Sequence, residues 1–141
     1  MEYNLPYPGI LPDSPLYIFK VARDNLFELI LLDPKQKAFY LLLMADKRLS
    51  AGFILINNGK TDLGVTTITQ GQQDYTRAVD LAVKNKDANL LSKLAVAGAK
   101  HEEVIALLQP KVADNKSAEL QKALEADQND KNRVLELLMT K

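Results

Sequence analysis

The chain has 141 residues, 47% apolar and 26% charged, with 18 Lys+Arg balanced by 18 Asp+Glu, the ordinary mix for one globular domain. Cys and Trp are absent and there is a single His, which excludes disulfide scaffolds, zinc ribbons, iron–sulfur clusters, thiol catalysis and multi-histidine metal centres. Charge is even along the chain, 8 basic and 9 acidic residues in 1–83 and 10 and 9 in 84–141, so no segment reads as a nucleic-acid or anionic-lipid capture surface.

Four of the six prolines fall in the first 15 residues, at Pro6, Pro8, Pro12 and Pro15. Residues 1–13 are therefore expected as an extended arm, and Tyr3, Leu5, Tyr7, Ile10 and Leu11 suggest that it lies on the core. Ser14-Pro15 reads as the cap and first position of a helix, with Phe19, Ala22, Leu26 and Leu29/Ile30 as its apolar stripe. Asp33-Pro34 repeats that start signal, so the first helix should stop near Leu32 and the second begin at Pro34. The second helix is apolar nearly all round (Ala38, Leu42, Ala45, Leu49, Gly52, Ile56; then Phe39, Tyr40, Leu43, Phe53, Ile54), which predicts a central one. Asn57-Asn58-Gly59 is a C-cap signature, with Gly59 taking the left-handed position.

Residues 61–71 are poor in helix formers, but Gly64, Ile68, Gly71, Tyr75, Ala78 and Ala82 keep helical spacing, which predicts a third helix over about 62–85. A fourth follows Asp87 as N-cap, carries Leu91, Leu94, Gly98, His101, Ile105 and Leu108, and ends at Pro110. A fifth starts near Asp114–Ser117 with Leu120, Leu124, Asp127, Lys131, Val134 and Leu138 on one stripe. The fold class that follows is all-α: an antiparallel bundle of about five helices after a Pro-rich arm, one domain over 1–141 divided as 1–13, 14–85 and 86–141. All nine aromatics lie at or before Tyr75, so the bulkier core is expected in the N-terminal half and looser attachment in the last two helices.

Chemistry is sparse. Gly59-Lys60-Thr61 copies the end of a P-loop, but Ile54 stands where the motif needs Gly and a helix precedes it instead of a strand. Asn115-Lys116-Ser117 fits a glycosylation pattern that matters only in a eukaryotic secretory setting. The positions i±3 and i±4 from His101 are Ala97, Gly98, Val104 and Ile105, so a helical metal pair is not formed. A hairpin of the last two helices about residue 112 brings His101 within a turn of Asp127, and a buried His101–Asp127 hydrogen bond is the preferred reading. The carboxylate pairs Asp24/Glu28, Glu102/Glu103 and Asp127/Asp130, and the basic pairs Lys47-Arg48 and Lys84/Lys86, read as solvated helix faces. No catalytic, cofactor-binding or metal-ligating residue is assigned, and neither nucleic acid nor a transmembrane segment is expected. The longest apolar run, Ala38–Ala45, is far below the ~20 residues that span a bilayer.

The stretch L-P-Y-P-G-I-L-P-D-S-P-L-Y-I-F-K, Leu5–Lys20, resembles the hallmark of a prokaryotic domain-of-unknown-function family that opens with Y-P-G-x-L-P-D-S-P-L-Y-x-x-K. The likeness continues through D-P-x-x-K (Asp33–Lys37), A-D-K-R-L (Ala45–Leu49) and N-G-K (Asn58–Lys60). Lys100–Val104 and Gln121–Glu125 are similar to the C-terminal helices of longer members. The resemblance implies an all-helical domain without an established activity. It also implies export, because members commonly carry a signal peptide before this arm, whereas M-E-Y-N-L-P is acidic and Pro-rich. Pro12, Asp13, Ser14 and Pro15, with Asp33, Pro34 and Gly59, are expected to serve folding.

The function expected is that of a non-catalytic, extracytoplasmic helical module binding a protein or envelope component. Two rivals stand beside it. One is a ligand-binding or catalytic domain using a cavity in the Phe/Tyr-rich half. The other is an intracellular regulatory module docking through the last two helices.

Overall fold

The computed structural model describes residues 3–30 and 33–140, which hold five α-helices and no strand. They are α1 (Tyr17–Ile30), α2 (Pro34–Asn57), α3 (Thr61–Asn85), α4 (Ala88–Leu108) and α5 (Asp114–Met139), with one 3-10 turn, Gln109–Lys111, after α4. The all-α class is as the apolar spacing predicts. The expected end of the first helix, near Leu32, lies outside the described residues.

Local chemistry sets most boundaries. The Asp33 carboxylate accepts from the Lys35 N–H at 3.0 Å ahead of Pro34. Asp87 does the same for Leu90 at 3.1 Å at the head of α4. Gly59 takes φ +85°, and the Lys60 N–H returns to the Leu55 carbonyl at 2.8 Å, closing α2. The Thr-rich opening of α3 stays helical because it packs Val65 and Ile68 into the core, while the Thr67 and Thr69 hydroxyls bond back to the Leu63 and Val65 carbonyls.

The first helix begins later than Ser14-Pro15 suggests. Pro15 occupies the second position of a tight turn, with the Tyr17 N–H on the Ser14 carbonyl at 3.0 Å. Ser14 Oγ accepts from the Leu16 N–H at 3.2 Å, so it caps that turn and α1 starts at Tyr17.

α2 and α3 form one antiparallel hairpin and α4 and α5 another. The two lie side by side, so that α2 runs with α4 and α3 with α5. The α2–α3 contact is close because it is built on glycine: a Cβ on Gly52 would stand 2.8 Å from the Gly64 carbonyl oxygen, and one on Gly64 would stand 2.6 Å from Ile56. Two apolar clusters fill the body. One centres on Leu41, Leu42, Tyr75, Leu91 and Leu94, the other on Leu49, Ile68, Ile105, Leu108 and Leu120.

Two expectations about mass distribution are corrected. Among the aromatics only Tyr75 is wholly buried; the rest line the rim or stand in solvent. α5 is firmly packed, with Leu120, Ala123 and Val134 in the core, whereas α1 has no buried residue. The bundle's centre is aliphatic because closely approaching helices leave room for Ala, Leu and Val but for few rings. The arm is corrected in part: Tyr3 and Leu5 pack on the clusters, but Tyr7 is 81% exposed.

Candidate functional site

A polar layer separates the two apolar clusters. It consists of Asp46 from α2, His101 from α4 and Asp127 from α5, each buried, with Tyr3 of the arm reaching in from outside. His101 Nε2 lies 2.6 Å from Asp46 Oδ1, and His101 Nδ1 lies 3.4 Å from Asp127 Oδ1. The Tyr3 hydroxyl donates to the second Asp46 oxygen, Oδ2. Tyr75 sets its ring edge-on to the imidazole, centroids 5.0 Å apart, and donates its own hydroxyl to the Leu94 carbonyl at 2.7 Å.

Burial alone would lower the His101 pKa, but the Asp127 and Asp46 carboxylates outweigh it and hold the group up at about 9. At neutral pH the ring is therefore an imidazolium, hydrogen-bonded through Nε2 to Asp46 and facing the Asp127 carboxylate with Nδ1. Burial pushes the Asp127 carboxyl upward, opposed by the charge of His101, and neither Asp127 oxygen has a well-formed hydrogen bond. Burial, reinforced by Asp46, also pushes the Tyr3 phenol up, so it stays protonated and donating.

Around this layer the remaining charges are paired. Lys131 Nζ stands 2.8 Å from the Glu102 carboxylate. Asp130 accepts from the Thr76 hydroxyl and from Gln72 Nε2, the latter at 3.2 Å, with Arg133 at 3.3 Å. A half-open cleft of ≈ 260 Å³ lies over Asp46, lined by Tyr3, Asn4, Pro6, Phe39, Leu42, Leu43 and Lys93. Chemically, the layer holds a positive charge inside the bundle and aims one carboxylate oxygen at that cleft.

The structure thus brings His101 and Asp127 together and adds Asp46 and Tyr3, which sequence reasoning did not assign. Asp46 sits in A-D-K-R-L, one of the stretches that carry the family resemblance, and it interrupts an apolar face; those two facts were the available signal. Asp13 and Lys60 form an ion pair that ties the arm to the α2–α3 turn, so P-D-S-P and N-G-K meet in space. Pro12 lines a shallow depression with Tyr17 and Lys20, and Gly59 serves the α2 cap. Among the described residues, no group of three or more His, Cys, Asp or Glu could hold a metal ion, and no helix is long and apolar enough to cross a membrane.

A second feature is the orientation of α1. At roughly 100° per residue, Ile18, Phe19, Ala22, Leu26, Leu29 and Ile30 share one sector of about 120°. That sector faces solvent: its five large side chains are 59–77% exposed. The opposite side is turned inward and mixes charged residues with the half-buried Tyr17 and Val21 and with Phe27, whose ring stacks on Tyr40. Glu28 pairs with Arg77, the Asp24 carbonyl accepts from Tyr40 at 3.1 Å, and Lys20 donates to the Pro8 carbonyl at 2.6 Å. The apolar stripe read from the spacing faces away from the core, and the other side of α1 finds its partners on α2, α3 and the arm.

Residues 9–115 match the family described as Domain of unknown function (DUF5667). The chain belongs to this family. In the DUF5667 domain the matched stretch spans α1 to α4 and includes Asp46 and His101, while Tyr3 and Asp127 lie outside it. No curated protein and no solved structure matches the chain.

Proposed function

We propose that this DUF5667 domain is a non-catalytic interaction module, exported from the cytoplasm, that presents the outward stripe of α1 to a protein of the cell envelope. The observation that carries the reading is the inverted seating of α1. A helix whose charged side chains bond to its own domain and whose Ile18, Phe19, Leu26, Leu29 and Ile30 stand in water is arranged to bury them elsewhere. Each large side chain buried on a partner contributes roughly 1.5–3 kcal/mol. The stripe lies on α1 and not on α4 and α5, which favours this reading over docking through the last two helices. Support for export comes from the likeness of Leu5–Lys20 to proteins that carry a signal peptide before the arm.

A photo-crosslinking residue at Phe19 or Leu29, with one at Ser92 on the exposed side of α4 as control, tests the interaction in the source cells. The expected outcome is one discrete adduct in the envelope fraction from the α1 positions alone. Equal labelling from Ser92, or an adduct with a cytoplasmic protein, would contradict the reading. Mass spectrometry of the fractionated native protein tests export separately: a processed terminus close to the arm in a non-cytoplasmic fraction is expected.

A further inference from the structure

The outward stripe of α1 is symmetric along the helix. Its residues mirror one another about position 24: Ile18 with Ile30, Phe19 with Leu29 and Ala22 with Leu26. Phe19, Ala22, Leu26 and Leu29 follow at steps of 3, 4 and 3, the spacing of a coiled-coil seam. Such a seam meets an antiparallel copy of itself in register. Each mirrored pair then forms one layer across the contact, and the smallest residue, Ala22, stands level with a leucine. Arg23 and Asn25 flank the sector and leave it free of charge, which is the apolar centre and polar rim of an interface. The area also suffices. Ile18, Phe19, Leu26, Leu29 and Ile30 are 59–77% exposed. At roughly 200 Å² for a fully exposed residue of this size, they present about 700 Å², close to the roughly 800 Å² that each partner gives to a standard interface.

We propose that two copies of this chain pair antiparallel through the outward stripe of α1, about a two-fold axis beside Asp24. The proposal rests on the reading of the stripe as a contact surface and names its partner as a second copy of the chain. The same patch serves on both copies, so the contact closes at two and does not propagate into chains. α1 has no buried residue in its own domain, so part of the association energy goes into fixing it in place. The dissociation constant is therefore expected on the order of 10–100 μM. In dilute solution the chain is a monomer and the stripe stands in water.

The test uses the purified full chain and sedimentation velocity over roughly 1–500 μM, a range that brackets the expected constant. A monomer at the low end, a dimer at the high end and no larger species are expected. Leu26→Gln with Leu29→Gln should weaken association at least about tenfold while the melting midpoint stays in place, which separates loss of pairing from loss of fold. The chain has no cysteine of its own, so the register can be read directly. Under mild oxidation, an equimolar mixture of Ala22→Cys and Leu26→Cys chains, one carrying a size tag, should give the mixed disulfide well above the statistical half of the product. Ser92→Cys, on the exposed side of α4, should give no disulfide above background. A monomer at every concentration, larger species, unchanged association of the double variant, or a purely statistical disulfide mixture overturns the proposal. If the chain is a monomer and the α1 crosslinker still captures another protein in cells, self-pairing fails and the contact surface stands; a monomer without any adduct removes both.

Discussion

In residues 34–140 each helix turns its apolar stripe inward and most of its charges outward, and in the buried Asp46–His101–Asp127 layer one imidazolium stands between two carboxylates. In α1 the arrangement is reversed: Lys20 and Glu28 and the Asp24 carbonyl meet the arm and body, and the apolar stripe stands in water. The contrast separates two uses of amphipathicity within one chain. Apolar periodicity reports that a helix has something to bury, and the polar groups available on its neighbours decide which side it turns to them. α2 lies against α3 and α4 and buries Leu41, Leu42, Ala45, Leu49 and Leu55 between them. α1 meets Arg77, Tyr40 and the arm's carbonyls, and docks through these polar contacts together with the Phe27–Tyr40 stack.

The largest effect that can break this contrast lies at the charge layer. Replacing His101 by Ala leaves the Asp46 and Asp127 carboxylates buried without their cation, and should destabilise the body by about 3–5 kcal/mol. A thermal melt should fall by about 10 °C or more; an unchanged midpoint would remove the layer's structural role.

The same layer sets a pH dependence. The folded-state pKa of His101 is raised to about 9 from an ordinary 6.5, so its contribution is complete below 6.5 and is lost as pH rises through 9. Denaturant unfolding should therefore show stability decreasing from pH 6.5 to 9.5 by an amount on the order of 3 kcal/mol. His101→Gln should flatten that slope, and a wild-type profile rising over this window contradicts the assignment.

Next in size is the α2–α3 contact. Gly52→Val places methyl groups against the Gly64 backbone and Ile68 and should cost about 1–3 kcal/mol, read from the urea midpoint. The smallest effect is expected on α1: Leu26→Gln with Leu29→Gln should change stability by no more than about 0.5 kcal/mol, since both side chains already stand in water. A loss of several kcal/mol from that pair would mean that the stripe is packed in cis.

Much of the fold was legible in residue order because capping chemistry is local. Asp33-Pro34, Asp87 and Asn57-Asn58-Gly59 mark helix ends without reference to the rest of the molecule. His101 and Asp127 could be placed near each other because a hairpin fixes which residues face across it. Asp46 and Tyr3 could not: they lie 55 residues before His101 and 43 before Asp46 respectively, and no local rule links an arm to a helix it crosses. The facing of α1 was likewise hidden, since its stripe is the same whether it meets a core or a partner.

Residue-resolved hydrogen–deuterium exchange on the intact chain tests the contrast most directly. Amides of α2 to α5 around Leu42, Ile68, Leu94 and Leu120 should open only with global unfolding, while those of α1 exchange orders of magnitude sooner. Protection of α1 equal to that of α2 would contradict the account, because it would place the outward stripe within the same cooperative core.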